Sequence, residues 1–465
     1  MFRLFGQYVP VKCLLLILSE GMLIVLSVWL AAWIRLADVT ALAHPGSGYF
    51  PSLRVAAVLT VCLICFYLND LYDLHVVARR SELLTRLIQS LGAASLILAL
   101  LYYALPDMMF GRGVSALAAV FAGVGLIAWR LGVDAAGVFF RPAQRVLVAG
   151  TGPAGVRLVR QLIERPELNF QVVGFLDEHG ENIGKSLVNP GIIGGLADLE
   201  KFVAQQRIDR VVLSFAERRG QMPVEKLLRV KFSGTCVEDA HSLYERLTGQ
   251  IMLERLTPSL LILSEGFRLS SLQVVLKRIS DVVFSLLALL LLSPLIAIIC
   301  VAICLESGMP LLFRQERVGL HGQLFWMLKF RSMYQNADKN GPAWASADDK
   351  RITRVGRFIR KYRLDEVPQF INVLLGDMSI VGPRPEQPAF VTMLEEQIPY
   401  YAQRHTVRPG ITGWAQIKYR YGSSVGDALT KLEYELFYIK HMSFFFDLLI
   451  MFRTLQVMLF GSGAL

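Results

Sequence analysis

Long apolar blocks open the chain. Four segments, 14–34, 53–71, 87–105 and 114–133, are dominated by Leu, Ile, Val, Ala and Phe. Each is close to the roughly 20 residues that carry a helix across a bilayer. Arg3 and Lys12 precede the first segment, Arg79, Arg80 and Arg86 lie between the second and third, and Arg141 and Arg145 follow the fourth. The loop ADVTALAHPGSGYFP has no Lys or Arg, and the third-to-fourth loop has only Arg112. This bias predicts four transmembrane helices with the N-terminus and everything after the fourth span in the cytoplasm. No A-x-A-like site follows the first block, so a cleaved signal peptide is not expected.

From Arg145 the rhythm shortens. RVLVAGTGPAGVRLVRQLIERPELNFQVVGFLDE reads as strand, glycine turn, helix and strand. Gly150, Gly152 and Gly155 match G-x-G-x-x-G, Asp177 ends the next strand, and residues 208–215 form another buried strand. This is a Rossmann-like βαβ pattern. It leaves open both a nucleotide-binding pocket and a scaffold that binds nothing tightly.

A further apolar run, 279–305, is long enough to cross a bilayer. Lys277 and Arg278 lie before it and Arg314 and Arg317 soon after, so both flanks favour the cytoplasm. Ser293-Pro294 interrupts its middle, where Pro removes a hydrogen bond and kinks a helix. A re-entrant helix, entering and leaving on one face, satisfies both facts. Beyond it the chain is more polar. DKRITRVGRFIRKYRLDE places Ile352, Val355, Ile359 and Tyr362 at helical spacing with cations on the other faces. Such a helix either lies on an anionic membrane surface or packs on its own domain. The terminal FFFDLLIMFRTLQVMLFG reads as an interfacial helix, since Asp447 and Arg453 lie inside it.

Composition agrees. Of 465 residues 54% are hydrophobic, the net charge is +10, and the mean hydropathy is +0.46. With this apolar content, an anionic membrane surface or substrate explains the charge better than nucleic acid. Six Cys form no pattern that would staple a fold or hold zinc. The fold class expected is a membrane protein, α and α/β: four transmembrane helices in 1–140, a Rossmann-like α/β domain in 141–265, and a mostly helical catalytic domain in 270–465 with the re-entrant helix.

The chemistry concentrates in RKYRLDEVPQFINVLLGDMSIVGPRPE, 360–386. Asp365 and Glu366 follow a basic run and precede Val367-Pro368 and an apolar helix, which puts the pair at a helix N-terminus. An isolated Asp-Glu there is ordinarily an N-cap with a first-turn Glu. Here KFRSM brings Lys329 and Arg331, FRQERVG brings Arg314 and Arg317, GDMSIVGPRPE brings a stiff turn around Arg384, and VRPGITGWAQ brings Arg408 and Trp414. A carboxylate pair in a basic field beside a membrane suits phosphate chemistry on a lipid.

These motifs, with KRISD and the Ser-Pro inside an apolar run, resemble those of the bacterial polyprenyl-phosphate phosphoglycosyl transferases, the monotopic superfamily that starts exopolysaccharide, capsule and O-antigen units. The resemblance to the catalytic domain covers residues 276–465, and the whole layout looks like the family's large members, closest to initiating glucose- or galactose-phosphate transferases. It implies that Asp365 is the nucleophile on the β-phosphate of a UDP-sugar, that UMP leaves, and that undecaprenyl phosphate then takes the sugar-phosphate. It implies that Glu366 is the residue associated with Mg²⁺, that Pro383, Arg384 and Pro385 contact the nucleotide, that Lys329, Arg331, Arg314 and Arg408 neutralise phosphate, and that Ser293 and Pro294 break the re-entrant helix. The implied setting is the bacterial inner membrane, multi-pass, with both later domains cytoplasmic; self-association is left open.

Two rivals remain. A membrane nucleotide-sugar dehydratase or epimerase would share the layout but needs a Tyr-x-x-x-Lys downstream of the glycine turn, and the chain's only such pair, Tyr8 with Lys12, lies upstream. A non-catalytic nucleotide-sugar sensor would not need the Asp365-Glu366 pair.

Overall fold

A computed structural model describes the chain except residues 1, 5–6, 10, 37–50, 73–79, 136–142, 216–221, 254–265, 268–269, 335–350, 420–423 and 461–465. Two compact units result, one essentially 8–240 and the other 241–465.

In the first unit, short strands β1 (Phe2–Leu4) and β2 (Gln7–Val9) precede the apolar helices α1 (Val11–Leu36), α2 (Pro51–Leu68), α3 (Arg80–Ala104) and α4 (Arg112–Ala135). Three of these expected spans are long and apolar enough to cross a membrane, while α2 is shorter at 18 residues. The bundle's interior is not wholly apolar. Glu20 of α1 and Arg130 of α4 are buried and ion-paired, Tyr72 donates to Glu20 at 2.9 Å, and Arg130 donates to the Leu71 carbonyl at 3.0 Å. A charge enclosed by apolar helices needs such partners, because neither lipid nor side chains replace its hydration.

The α/β part has strands β3 (Gln144–Ala149), β4 (Phe170–Asp177), β5 (Ile192–Gly195), β6 (Arg210–Leu213) and β7 (Cys236–Asp239), all parallel, in the order β5-β4-β3-β6-β7. Helices α5 (Pro153–Glu164), α6 (Leu199–Gln205) and α7 (Val224–Phe232) accompany them. This is the Rossmann-like arrangement expected, and β3 is fully buried over its last four residues, as a central parallel strand should be.

The second unit starts in α8 (Ala240–Thr248) and is organised by α9 (Ser271–Ser307), a 37-residue helix opened by a Ser270–Gln273 capping box. Near its start, Arg278 donates to the carbonyls of Val373 and Leu374 at 2.6 and 2.8 Å. Near its end, Ile299 and Ile303 bury against Phe330, Ile359 and Val367, and Glu306 accepts from the Arg354 and Val355 N–H groups at 2.7 and 2.9 Å. Both ends of this long helix are thus held by one unit, and Pro294, a residue that ordinarily bends a helix, lies between the two sets of contacts. Its middle, Leu286 to Ile298, carries exposed Leu286, Leu287, Leu290, Leu291 and Ile298.

Ser293 and Pro294 lie in that middle, inside one unbroken helix. Pro294 has no N–H for the carbonyl four residues back, that of Leu290. The Ser293 hydroxyl donates to this carbonyl at 2.8 Å. The pair thus removes one donor and supplies another, which an apolar medium requires.

Around α9 come the hairpin β8 (Leu312–Val318) and β9 (Leu324–Phe330), then α10 (Arg354–Lys361), α11 (Gln369–Leu375), β10 (Ser379–Val381), α12 (Pro388–Gln397), β11 (Gly410–Thr412), α13 (Trp414–Lys418), α14 (Val425–His441) and α15 (Phe444–Phe460). α10 packs on its own domain through Ile359 and leaves Phe358 and Tyr362 exposed. α15 buries Phe446 and Ile450 in the main core and exposes Phe445 and Leu455.

The Ser293–Pro294 exchange of donors generates a prediction. Ser293→Ala should lower unfolding stability in lipid nanodiscs by about 1–2 kcal/mol, the cost of a carbonyl left without a donor in an apolar medium. Adding Pro294→Ala, which restores the N–H, should recover part of that loss; strictly additive effects in the double-mutant cycle would refute the exchange.

Candidate active site

The carboxylate pair does not sit in the first turn of α11. After α10, Arg363 adopts a left-handed conformation (φ 54°), and Leu364–Glu366 form a 3-10 turn that leads through Val367 and Pro368 into α11. Left-handed backbone at a non-glycine residue ends a helix sharply. Of the pair, Glu366 is held by side-chain cations.

Arg384 donates to Glu366 Oε1 at 2.9 Å, and Lys329 Nζ lies 3.7 Å from the same oxygen. Burial alone would raise the Glu366 carboxyl; Arg384, Lys329 and Arg363 outweigh it and hold the group at about 2. Asp365 has the opposite balance. Burial, then the neighbouring Glu366 charge, push its carboxyl up, opposed by Lys329 and Arg360. Among the described residues, no side chain hydrogen-bonds to Asp365. Adjacent carboxylates driven apart in this way can take different chemical roles.

Strand register decides which cations face the pair. In the β8–β9 ladder Phe313 stands opposite Lys329 and Arg317 opposite Phe325, while Arg314 stands opposite Leu328. Side chains alternate faces along a strand, so Arg317 shares the Lys329 face and Arg314 points away. Arg317 donates to the Pro385 carbonyl at 3.1 Å and lies 3.7 Å from Glu386; burial pushes its guanidinium down to about 10. The buried Asn372 amide fixes β9 against α11, accepting from Leu328 N–H at 2.9 Å and donating to the Trp326 carbonyl at 2.8 Å. Arg331, just beyond β9, is buried and donates to the Ser307 carbonyl and hydroxyl at 2.7 and 2.8 Å. It caps the end of α9 instead of facing the carboxylates. Arg408 donates to the Gly376 carbonyl at 2.9 Å, at the opposite end of α11 from the pair.

The two Pro-Gly turns meet in a parallel pair, Ser379 opposite Gly410 and Val381 opposite Thr412. A Cβ on Gly382 would lie 2.4 Å from the Arg408 carbonyl oxygen, and one on Gly413 2.2 Å from that of Gly382, so backbone approaches backbone too closely for any side chain. The Pro383 carbonyl accepts from Gly410 N–H at 2.8 Å, and the Arg384 carbonyl from Arg404 at 2.8 Å. Arg404 also donates to Glu435 at 2.8 Å and to the Tyr401 hydroxyl. Arg317, Met327, Gln369, Arg384, Pro385 and Gly410 line a small crevice here. Arg317 on the Lys329 face was findable from strand alternation once the register was known. Gln369, Arg404 and Glu435 carried no local signal.

Among the described residues no group of three or more His, Cys, Asp or Glu is arranged to hold a metal. Both cationic contacts of Glu366 fall on Oε1. A Mg²⁺ fits there as the ion usually binds, through one or two carboxylates completed by substrate phosphates.

The glycine turn of the α/β part fits a phosphate poorly. Gly152 N–H donates to the Ser214 carbonyl at 2.8 Å, Gly155 N–H donates to Ser214 Oγ at 2.7 Å, and Pro153 has no N–H. A Cβ on Gly150 would lie 2.3 Å from the Ser214 carbonyl oxygen. Asp177 accepts from Glu181 N–H at 3.0 Å and from the Asn182 side chain at 3.2 Å. The Gly152 and Gly155 N–H groups, which would face a pyrophosphate, and the acceptor that would hold a ribose are engaged within the chain. Calorimetric titration with coenzyme A or NAD should accordingly show no binding tighter than about 1 mM; micromolar binding lost in Gly152→Ala would contradict this.

Comparison with known proteins follows the same division. A family model described as bacterial sugar transferase matches residues 272–461, and one described as CoA-binding domain matches residues 67–229. The chain is 45% identical over 221 residues to a UDP-N-acetylgalactosamine-undecaprenyl-phosphate N-acetylgalactosaminephosphotransferase of Aeromonas hydrophila, covering 47% of this chain and 51% of that protein. It is 37% identical over 324 residues to a UDP-glucose:undecaprenyl-phosphate glucose-1-phosphate transferase of Escherichia coli K12, covering 66% of each. A protein of the same description from Xanthomonas campestris pv. campestris is 30% identical over 422 residues, covering 86% of this chain and 85% of that protein. The match spans about half of the first relative and just under two thirds of the second. With site motifs, fold and near-full-length similarity in agreement, the chain belongs to the bacterial sugar transferase family, the polyprenyl-phosphate phosphoglycosyl transferases.

Proposed function

We propose that this protein transfers a sugar-1-phosphate from a UDP-sugar to undecaprenyl phosphate, giving undecaprenyl-diphosphate-sugar and UMP. The carrying observation is the division between its two carboxylates: Glu366 is clamped by Arg384 and Lys329, while Asp365, its carboxyl raised by burial, has no ion pair among the described residues. A carboxylate that no neighbouring cation clamps is suited to attack phosphorus.

In this reading an Asp365 oxygen attacks the β-phosphorus, the bond to the bridging oxygen breaks, and UMP departs with that oxygen. The sugar-phosphate is then esterified to Asp365. An oxygen of undecaprenyl phosphate attacks the same phosphorus and releases the Asp365 carboxylate, so atoms balance over two displacements. Lys329, Arg317 and Arg384 absorb charge on the phosphoryl oxygens. Mg²⁺, held by Glu366 and the donor diphosphate, would add Lewis-acid stabilisation when bound.

Pro294 in the middle of α9, with both ends held by one unit, supports a re-entrant helix, dipping into the cytoplasmic leaflet and returning to the same side. That placement would bring a water-soluble donor and a lipid acceptor to one nucleophile. The charge bias supports an inner-membrane protein with both later domains in the cytoplasm. The relatives named above act on glucose and N-acetylgalactosamine donors, so the sugar is a matter for assay. The dehydratase alternative loses ground because Tyr8 lies in β2 and Lys12 in α1, not on one helix.

The test is nucleotide release by purified protein with Mg²⁺ and a panel of UDP-sugars, with and without undecaprenyl phosphate. Lipid-dependent UMP is expected with at least one sugar; UDP instead would overturn the proposal. Asp365→Asn should cut UMP release at least about a thousandfold with the fold intact. Arg317→Gln should lower kcat/KM by about tenfold or more, the loss of a charged contact. Arg314→Gln, on the opposite face, should stay within about threefold, and the reverse order would refute the register argument.

A further inference from the structure

The nucleotide-gripping turn is anchored to the long apolar helix through a buried polar network that the mechanism above does not use. Val381 is the residue immediately before Gly382-Pro383-Arg384-Pro385. Its carbonyl accepts from Lys277 Nζ of α9 at 3.1 Å, and the Tyr438 hydroxyl oxygen of α14 lies 3.1 Å from it. Both groups are held by one carboxylate at the start of α15: Lys277 donates to Asp447 Oδ2 at 2.7 Å, and Tyr438 gives its single proton to Asp447 Oδ1 at 2.7 Å. One residue earlier, Ile380 N–H donates to Asp281 of α9 at 3.1 Å. Asp281, Asp447 and Tyr438 are all buried.

Stability alone does not account for this arrangement. Taking a Lys–Asp pair out of water costs more than well-packed apolar residues of similar volume, and such replacements are often neutral or stabilising. What the network supplies is geometry. A lysine Nζ bonded to that carbonyl, and held in place by a carboxylate that also fixes the Tyr438 hydroxyl beside it, sets the carbonyl's position in a way that apolar packing does not. The rest of the turn is pinned similarly, the Pro383, Arg384 and Pro385 carbonyls each receiving a donor. Of these restraints, only the one at Val381 arises from the apolar helix.

We infer that Lys277, Asp447 and Tyr438 are positioning residues for donor binding: they transmit the seating of α9 to the Pro383-Arg384-Pro385 turn, and so set the affinity for the nucleoside diphosphate end of the substrate. This rests on the proposed donor chemistry. Lys277 and Asp281 hence do more than bias the flank of an apolar segment. They define where the turn stands relative to the helix.

The experiment compares wild type, Tyr438→Phe and the double variant Lys277→Met/Asp447→Leu, all full-length in nanodiscs. Calorimetry with UDP as the probe reads binding without turnover, and thermal unfolding reads the fold. The double variant should unfold at or above the wild-type temperature yet bind UDP on the order of tenfold more weakly, because small displacements of a gripping group cost that much or more. Its KM for the UDP-sugar should rise while kcat stays within about threefold, a split that general loosening of the fold would not produce. Tyr438→Phe, which keeps the ring and removes one donor, should show a smaller loss of the same kind, and it decides the matter if the double variant fails to fold. Glu245→Gln, which breaks a separate ion pair with Lys440, should leave UDP binding unchanged. Equal UDP binding by wild type and both folded network variants would overturn the positioning role alone. No UDP binding by wild type would remove the proposed donor, and this inference with it.

Discussion

One helix has to satisfy two media. The middle of α9 presents leucine and isoleucine outward, while its start and end are both claimed by polar groups of one domain. That double attachment ties the β8–β9 hairpin, α10, α11 and the Pro-Arg-Pro turn to the two ends of one helix. Arg278 at one end holds the carbonyls that close α11; Glu306 at the other caps the N-terminus of α10. The 3-10 turn with Asp365 and Glu366 lies between those helices, so its position follows from where α9 begins and ends.

Within this frame the electrostatics are local. Three cations converge near one carboxylate and leave its neighbour unclamped. Lys329 and Arg317 arrive on the same face because β8 and β9 pair antiparallel in a fixed register, and Arg384 arrives from a turn whose backbone is held at almost every carbonyl. Burial opposes ionisation at both acids, but among the described residues only Glu366 has an ion pair to overcome it. Asymmetry of this kind needs no unusual residue, only unequal access to shared cations.

Much of this was legible in the sequence wherever the signal is local. Long apolar blocks, the strand–glycine–helix pattern ending at Asp177, and an acid pair after a basic run each depend on neighbours within a few residues. What could not be read depends on partners far along the chain. Arg314 and Arg317 look alike until the register separates their faces. Arg331 looks like a phosphate ligand until the end of α9, over twenty residues earlier, is seen to take it. Asp365 and Glu366 lie in a 3-10 turn leading into α11 rather than in the α-helix itself, and that turn follows Arg363 in a left-handed conformation, which no propensity anticipates for arginine. The glycine turn has a matching fingerprint, yet Ser214, some sixty residues on, supplies the oxygens that its N–H groups meet.

That last feature bears on how the α/β part behaves in a cell. A nucleotide-binding scaffold normally gains stability from its ligand by mass action, and its population of open states then tracks metabolite supply. With Ser214 built into the seat, the partner of the Gly152 and Gly155 N–H groups is covalently present at fixed concentration in every molecule, so these two groups need no ligand to be satisfied.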